Sequence, residues 1–391
     1  MTKNILITGG TGLVGQKLTD VLLAKGYNIS YLTRNKKGID SLEYKTETPL
    51  AERVEGTEEA LKNKALGKRL AQELIVTNID QFLDPKTGKV VQTERHEILL
   101  QKGHLITDYD IESILETNVP FVVIQKQNAY IKLYEWNIQT QTMEDDAIKN
   151  ADYIIHLAGA GVADENWTVL RKKEIMESRT LSTMLLANKI EMLPNHIKAF
   201  VSASAIGYYG MDTGNAWQYE SMETKADDFL TSVVKAWESA VFKIKNTRLV
   251  VLRIGVVLSQ QGGALEKMSQ PVRIYAGAAL GNGLQYISWV HIADLCQMFV
   301  KAIEDEQMTG IYNAVAPQPV TNEVFTKAIG KTLDKPILPI NVPNFALKLL
   351  LGEMAALVIG GNRVSSDKIE KTGFHFQFKE VNSALKDLLQ P

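Results

Sequence analysis

Residues 4–15 read Asn4-Ile5-Leu6-Ile7-Thr8-Gly9-Gly10-Thr11-Gly12-Leu13-Val14-Gly15. A short apolar run that stops at glycines predicts a strand, and the sequence from about Gly12 to Lys25 predicts the helix it feeds. In that context the glycines have separate tasks. Gly9 allows a tight turn, Gly12 lets backbone N–H groups approach a pyrophosphate without a Cβ in the way, and Gly15 lets the helix pack close to the strand. The unpaired N–H groups and positive dipole end of the helix then hold an anion. Gly9, Thr11, Gly12, Leu13, Val14 and Gly15 are therefore candidate dinucleotide-binding residues, whereas a Gly-rich turn without a strand before it and a helix after it would imply no ligand.

Outward from this cradle, NISYLT (28–33) predicts a second strand, and its end carries the sequence Tyr31-Leu32-Thr33-Arg34-Asn35-Lys36-Lys37. Chains of this type that bind NAD carry an acid here, about twenty residues on, to accept hydrogen bonds from the ribose hydroxyls. Thr33 and Arg34 instead offer a hydroxyl and a planar cation, with Lys36 and Lys37 beside them. That set attracts a 2′-phosphate, so the expected cofactor is NADP. A solvated basic turn is the competing reading.

Composition narrows the class. Apolar residues make up 45% of the 391, enough for a sizeable core. Basic and acidic residues nearly cancel, 43 against 45, which argues against nucleic-acid or membrane partners and for a small-molecule substrate. The single cysteine, Cys296, has no internal disulfide partner, and no Cys/His cluster has metal-ligand spacing, so no metal is expected and a cytoplasmic location fits. The first residues lack a signal-peptide core. FALKLLLGEMAALVIGG (345–361) is the most apolar stretch but carries Lys348 and Glu353, and it reads as a buried or partner-facing helix rather than a membrane span. A homodimer is compatible with this class of fold.

Strand-like and helix-like runs alternate through NISYLT, resume at KLYEWNI and DYIIHLAG, and continue through FVSASA, LVVLRIGVVL and GIYNAV. This order predicts an α/β fold: a Rossmann-type doubly wound parallel sheet with a smaller C-terminal substrate-side region and an inserted α+β segment. If Arg34 ends the second strand and Tyr134 to Ile138 form the third, the roughly ninety residues between them far exceed an ordinary connection. The expected division is a dinucleotide-binding domain over 1–38 and 130–310, an insertion over 39–129, and a mostly helical region over 311–391. Within the insertion, ERVEGTEEALKNKALGKRLAQELI (52–75) reads as a charged helix, DPKTG (84–88) as a turn and FVVIQ (121–125) as a hydrophobic run.

TGGTGLVG, HLAGAGVAD, RKKEIMESRTLST, SASAIGYYG, the WES helix, LRIGVVLSQQGGAL, SWVHIAD and LLLGEMAALVIGGNRV, in that order, resemble the bacterial epimerase-like group of atypical extended short-chain dehydrogenases/reductases, whose members are often called nucleoside-diphosphate-sugar epimerases. The likeness spans 1 to about 38 and about 130 to 391. It implies that Thr33 and Arg34 meet the adenosine phosphate and that Leu157, Ala158 and Gly159 form the loop passing over the cofactor. It also implies that Glu174 and Arg179 contact the cofactor from the following helix, and that Val256 and Val257 lie beside the nicotinamide. From the residues alone, Glu174 and Arg179 could equally be a solvated helix pair. The insertion around DPKTG resembles a stretch of bacterial RNA-polymerase large subunits, but its net acidity offers nucleic acid no surface.

Active members of the wider superfamily use a serine, a tyrosine, and a lysine four residues after the tyrosine, the lysine easing proton transfer from the phenol. None of the thirteen tyrosines here has a lysine at that spacing. With the register of DDFLTSVVKAWESA set by Glu238, Leu230 and Val234 occupy the two places, and Lys235 is turned away by about 100°. The serine strand persists: Ser204 matches the superfamily serine and Tyr208 follows closely, so both are candidate catalytic residues, or else cavity lining. His291 is either a proton donor or a helix cap. Thr321 is a candidate N-cap, with Asn322 at N1 and Val324 at N3, and Trp167, Tyr208, Tyr209 and Trp289 are candidate cavity walls or core. Two functions stay open: an NADP-dependent oxidoreductase or epimerase acting on a small carbonyl or sugar-like substrate, and a non-catalytic NADP-binding sensor or scaffold.

Overall fold

The computed structural model describes residues 3–83 and 89–390, and the DPKTG stretch lies outside the described residues. The chain divides into two compact units: 1–22, 27–40 and 132–391 form the first, and 23–26 with 41–131 the second.

In the first unit, β1 (Asn4–Thr8) leads into α1 (Leu13–Ala24) and β2 (Asn28–Thr33). β3 (Phe121–Asn137) enters from the second unit, followed by β4 (Tyr153–His156), α2 (Val169–Met192) and β5 (Ala199–Ala205). α3 (Phe229–Val241), β6 (Arg248–Ile254), α4 (Ala264–Arg273), α5 (Ile292–Glu304) and β7 (Gly310–Ala314) complete the alternation. The strands lie in the order β7-β6-β5-β4-β1-β2-β3, all parallel. Such a sheet is covered on both faces, which is why its strands are near-continuous apolar runs: Ile5, Leu6 and Ile7 are fully buried, as are Ile154, Ile155, Val250 and Val251. Strand order reverses between β1 and β4, and the crevice beyond their C-terminal ends is where ligands bind in open α/β sheets.

Helix starts follow capping chemistry. Thr168 accepts from the Arg171 amide (3.1 Å), Asp228 from Thr231 (2.9 Å) and Thr321 from Val324 (3.4 Å), opening α2, α3 and α6 (Asn322–Leu333). α6 packs with α4 and α8 (Val381–Leu389) around Trp289, Phe325, Val272 and Leu385. Trp289 is fully buried and donates to the Gln318 carbonyl, so it belongs to the core and not to a cavity wall. In the apolar C-terminal stretch, α7 (Asn344–Leu351) stops at Gly352, which takes φ +57°. Phe345, Leu349 and Leu350 on it are exposed while Leu347 is buried, so of the two readings, buried or partner-facing, full burial is not the one adopted. Among the described residues no helix is long and apolar enough to cross a membrane.

The second unit has its own core, built from Val54, Leu61, Ala65, Leu70, Ile111, Ile114 and Ile124. Its strand Ser41–Glu55 runs beside β3, and Leu74–Leu83 pairs antiparallel with Val90–Leu100. The helix expected over 52–75 is corrected: only short helical turns at Glu58–Ala60 and Leu61–Ala65 form. Gly56 is the break, because its amide bonds to Pro120 O at 3.0 Å and a Cβ there would sit 1.9 Å from Val119 O. FVVIQ is the first part of the long strand β3, not a separate element.

Candidate functional site

The cradle joins β1 to α1. Gly9 takes φ +71°, and a Cβ on it would lie 2.9 Å from the Leu157 carbonyl carbon, so the loop after β4 sits directly on the turn. A Cβ at Gly15 would come 2.3 Å from Gly9 O, which is the close helix-to-turn approach the motif requires. Gly10 is under equal pressure, since its Cβ would fall 2.3 Å from the ring of Tyr31, whose hydroxyl is bonded to Thr19 (2.7 Å). Gly12 differs: a Cβ there would meet only Gly9 O, at 3.3 Å, and otherwise faces open space. A side chain at Gly12 would therefore ask the Gly9 carbonyl to give by only a few tenths of an ångström, whereas it would stand in the way of an anion approaching the first amides of α1. These residues fit a dinucleotide pyrophosphate. Leu13 also meets a loop that the sequence alone does not connect to it, for a Cβ at Gly263 (φ +79°) would lie 3.1 Å from Leu13 Cδ2.

His156, at the end of β4, is the cradle's anchor and was not among the residues singled out from the sequence. Thr8 Oγ1 accepts the amides of Leu157 and Ala158, both at 3.1 Å, so its own proton goes to His156 Nδ1 at 2.8 Å. Nε2 then carries the ring hydrogen and donates to Thr183 Oγ1 at 3.0 Å, whose proton is given to Arg179 O. Burial, aided by the nearby charge of Arg179, pushes the imidazole down to about 3, so it stays neutral. The amides of Leu157 and Ala158 are thus spent on Thr8, leaving this loop to act by contact.

Arg179 bonds through Nη1 to Ala160 O (3.0 Å) and Ile175 O (2.9 Å) and packs over the Trp237 ring. A Cβ at Gly159 would lie 3.0 Å from its guanidinium carbon. Burial, with Arg171 as a second cause, lowers it to about 10, and among the described residues no carboxylate pairs with it. Glu174 is exposed and accepts from Arg171 Nη1 at 2.7 Å. The two residues therefore do not pair with each other. Thr33 ends β2 with its hydroxyl on Asn35, while Arg34 is exposed and makes no hydrogen bond or ion pair among the described residues. Lys36 is committed to Asp40 (2.8 Å) and Glu144 (3.0 Å), which removes it from the basic set.

Beyond β5, the Ser204 hydroxyl is engaged within the protein. Its proton is donated to Glu238 Oε1 at 2.6 Å, not held free for a substrate oxygen. Glu238 in turn accepts from Arg253 Nε (2.9 Å) and Nη2 (2.8 Å), Arg253 Nη1 bonds Tyr209 Oη (3.2 Å), and Tyr209 donates to Asn313 Oδ1 (2.8 Å). Burial opposes the charge on Arg253, but the hydrogen bond and charge of Glu238 hold it above the usual arginine range. Tyr209 is buried in this network, whereas Tyr208 is half-buried and its hydroxyl has no hydrogen-bond partner among the described residues. The Arg253 guanidinium lies 3.4 Å from the centre of the Tyr208 ring and fixes its plane.

Leu230 and Val234 are buried, and a Cβ at Gly207 would approach both, at 4.0 and 3.9 Å. An apolar pair thus faces the serine loop where a tyrosine and lysine would stand, and Lys235 reaches the other way to Ala226 O. His291 is a cap: Nδ1 accepts the Ala293 amide (3.1 Å), the ring stacks on Phe378, and burial outweighs Asp387 to bring it down to about 4. Val256 follows β6 through Gly255 and gives its amide to Ser288 O at 2.8 Å. Trp167 is half-buried, donating to Val162 O and meeting Phe229 edge-on. No metal-binding cluster occurs among the described residues.

A parallel sheet of this order with a glycine cradle at its switch point defines an NAD(P)-binding Rossmann protein of the extended short-chain dehydrogenase/reductase type. Residues 5–74 and 99–314 match the model of the NAD dependent epimerase/dehydratase family, and the chain belongs to it. Residues 342–388 match a domain of unknown function, DUF1731. An epimerase family protein of Staphylococcus aureus (strain NCTC 8325 / PS 47) is 36% identical over 244 residues, 62% of this chain and 80% of that protein. The chloroplastic epimerase family protein SDR39U1 homolog of Arabidopsis thaliana is 34% identical over 249 residues, covering 63% and 70%. The crystal structure of human epimerase family protein SDR39U1 (isoform2) with NADPH superposes with a TM-score of 0.69 at 23% identity, covering 99% of each chain.

Proposed function

We propose that this protein is an NADP(H)-dependent oxidoreductase or epimerase acting on a small carbonyl or sugar-like compound. Arg34 carries the cofactor choice. It stands exposed at the end of β2 and unpaired among the described residues, where NAD-binding chains carry an acid to receive the ribose diol, and such a guanidinium is matched by a 2′-phosphate. The structure of a relative with NADPH supports the same choice. Gly9, Thr11, Gly12, Leu13, Val14 and Gly15 would hold the pyrophosphate, and Thr33 with Arg34 the adenosine end. Leu157, Ala158, Gly159, Glu174, Arg179 and Val256 would border the remainder. When bound, the nicotinamide supplies or accepts hydride.

The chain's own contribution at the reacting end is assigned to Tyr208, whose hydroxyl, unpartnered among the described residues, hydrogen-bonds the substrate oxygen while Arg253 fixes its ring. Ser204 acts one step back, as a positioning residue that orients Glu238 and through it Arg253. A second reading, a non-catalytic NADP-binding protein, is favoured by the apolar Leu230 and Val234.

Loss of NADPH absorbance across aldehydes, ketones and nucleotide sugars separates the two readings. Turnover by wild type that drops about a hundredfold in Tyr208→Phe is expected; absence of turnover on every compound supports the sensor. Arg34→Ala should weaken NADPH at least about tenfold more than NADH, as a lost charged hydrogen bond would. Equal losses for the two would return the assignment to NAD.

A further inference from the structure

The segment Gly360-Gly361-Asn362-Arg363-Val364 is built directly into the loops that follow β5 and β6. Asn362 Nδ2 donates to Gly210 O at 2.7 Å, and its carbonyl accepts from Ser288 Oγ, also at 2.7 Å. Ser288 Oγ accepts the Val364 amide in turn, and Ser288 O holds Val256. A Cβ at Gly361 would lie 2.2 Å from Tyr286 O and one at Gly360 2.3 Å from Met211 O, so two glycines in succession let this backbone lie against both loops. Val364 packs with Tyr209 and Val315, and Tyr208 packs against them. Arg363 is thereby carried to the C-terminal ends of the central strands, the side where this fold receives its ligands.

Its surroundings are unusual for an arginine. The guanidinium lies 4.2 Å from the centre of the Trp217 ring and 4.9 Å from that of Tyr286, and Arg363 pairs in register with Trp217 across a short parallel ladder. Among the described residues no carboxylate pairs with it, and its buried Nε has no hydrogen-bond partner. Arg253 shows what a structural arginine looks like in this same protein: its Nε and Nη2 both end on Glu238. Ring stacking alone explains why Arg363 lies flat, but it uses the faces of the guanidinium and leaves the in-plane donors unmet. A planar fork with immobilised faces and free edges is matched by a carboxylate or a phosphate.

We infer that Arg363, walled by Trp217 and Tyr286, receives an oxyanion on the substrate, a carboxylate or a phosphate group. The inference rests on the oxidoreductase reading only in assigning that anion to the compound whose oxygen meets Tyr208.

The test uses the full chain saturated with NADPH, so that the cradle is filled, and titrates it with pyruvate and, separately, with inorganic phosphate, reading tryptophan fluorescence. Wild type should give a saturable change that Trp217→Phe largely removes. Arg363→Met should weaken the response at least about tenfold, the scale of a lost charged hydrogen bond, and Arg363→Lys should weaken it less. Tighter pyruvate than phosphate identifies a carboxylate subsite, and the reverse a phosphate subsite. A folded Arg363→Met that responds as wild type does overturns the proposal, as does a wild type that responds to neither anion. Should Arg363→Met fail to fold, an undiminished response in Arg363→Lys overturns it. NADPH binding is followed separately by nicotinamide fluorescence, so a failure of the cofactor reading leaves the difference between wild type and variants readable.

Discussion

Ser204 Oγ donates to Glu238 Oε1 at 2.6 Å, and the same carboxylate is clamped by Arg253 through Nε and Nη2, so the candidate serine is tied to a buried ion pair. Both charged side chains are almost fully buried. Replacing one partner leaves the other charged and unmatched, which costs far more than the pair contributes. Glu238→Ala should therefore lower the unfolding free energy by about 3–5 kcal/mol. Ser204→Ala removes one hydrogen bond to a charged group and should cost about 1.5–3 kcal/mol. In chemical denaturation the ordering of the two variants decides the matter. A Ser204→Ala as unstable as Glu238→Ala would mean that the serine, not the ion pair, organises this core.

The cradle glycines should separate into packing and ligand positions. Gly15→Ala drives a Cβ to 2.3 Å from the Gly9 oxygen and within 3 Å of the Gly10 backbone, a clash that only a large backbone shift relieves, so the melting temperature should fall and dinucleotide binding with it. At Gly12 the nearest atom is the same Gly9 oxygen at 3.3 Å, which needs to give by only a few tenths of an ångström, so Gly12→Ala should lower the melting temperature much less than Gly15→Ala does. Its methyl nevertheless occupies the face an anion must reach, and NADPH binding should fall at least about tenfold. Binding by Gly12→Ala at wild-type strength would detach the cofactor from this turn.

The parts of the fold legible in the sequence are those whose signal is local. The strand-turn-helix of residues 4–24 and the capping by Thr321 follow from neighbours a few positions apart. Ser41–Glu55 was unreadable as a strand because what holds it is Phe121–Asn137, some seventy residues on, and charged side chains suit an exposed strand as well as a helix. The Ser204 network was hidden for the same reason. Glu238 served only to set the register of its helix, and nothing in the sequence says that it meets β5 and β6 at once. Gly10 received no role from the sequence, because what demands a glycine there is the ring of Tyr31, brought beside it by the neighbouring strand. Arg363 sat in a quoted motif but carried no local chemistry until Trp217 and Tyr286 closed on it.

Two buried neutral histidines make stability fall in mild acid. His156 is held down to about 3 and His291 to about 4, whereas both titrate near 6.5 in the unfolded chain. Between those values the unfolded state binds more protons, so stability is full above about pH 6.5 and declines as pH drops toward the folded values. At pH 5 each histidine should have withdrawn about 2 kcal/mol. Carboxylates titrate mostly below that range, so denaturation at pH 7, 6 and 5 isolates the effect. His156→Gln should be less stable than wild type at pH 7 yet show a shallower slope. A wild-type stability that is flat from pH 7 to 5 would mean that these rings reach water.

The second unit should be separable from cofactor binding. It has its own apolar core, from Val54 through Ile124, and the strand β3 pairs with β2 only from Lys132 to Glu135, beyond the unit's last residue. Joining Asp40 to Lys132 through a short Gly-rich bridge keeps that parallel pairing and the order β3-β2-β1 around the cradle. Loops tolerate such exchanges when few contacts cross the boundary, and the entropy of closing a shorter loop is small. The shortened protein should bind NADPH within about twofold of the full chain, because Arg34, Gly12 and Arg179 all belong to the first unit. Cooperative unfolding together with lost NADPH affinity would show instead that residues 41–131 shape the adenosine end of the crevice, and that the insertion is part of the binding machinery.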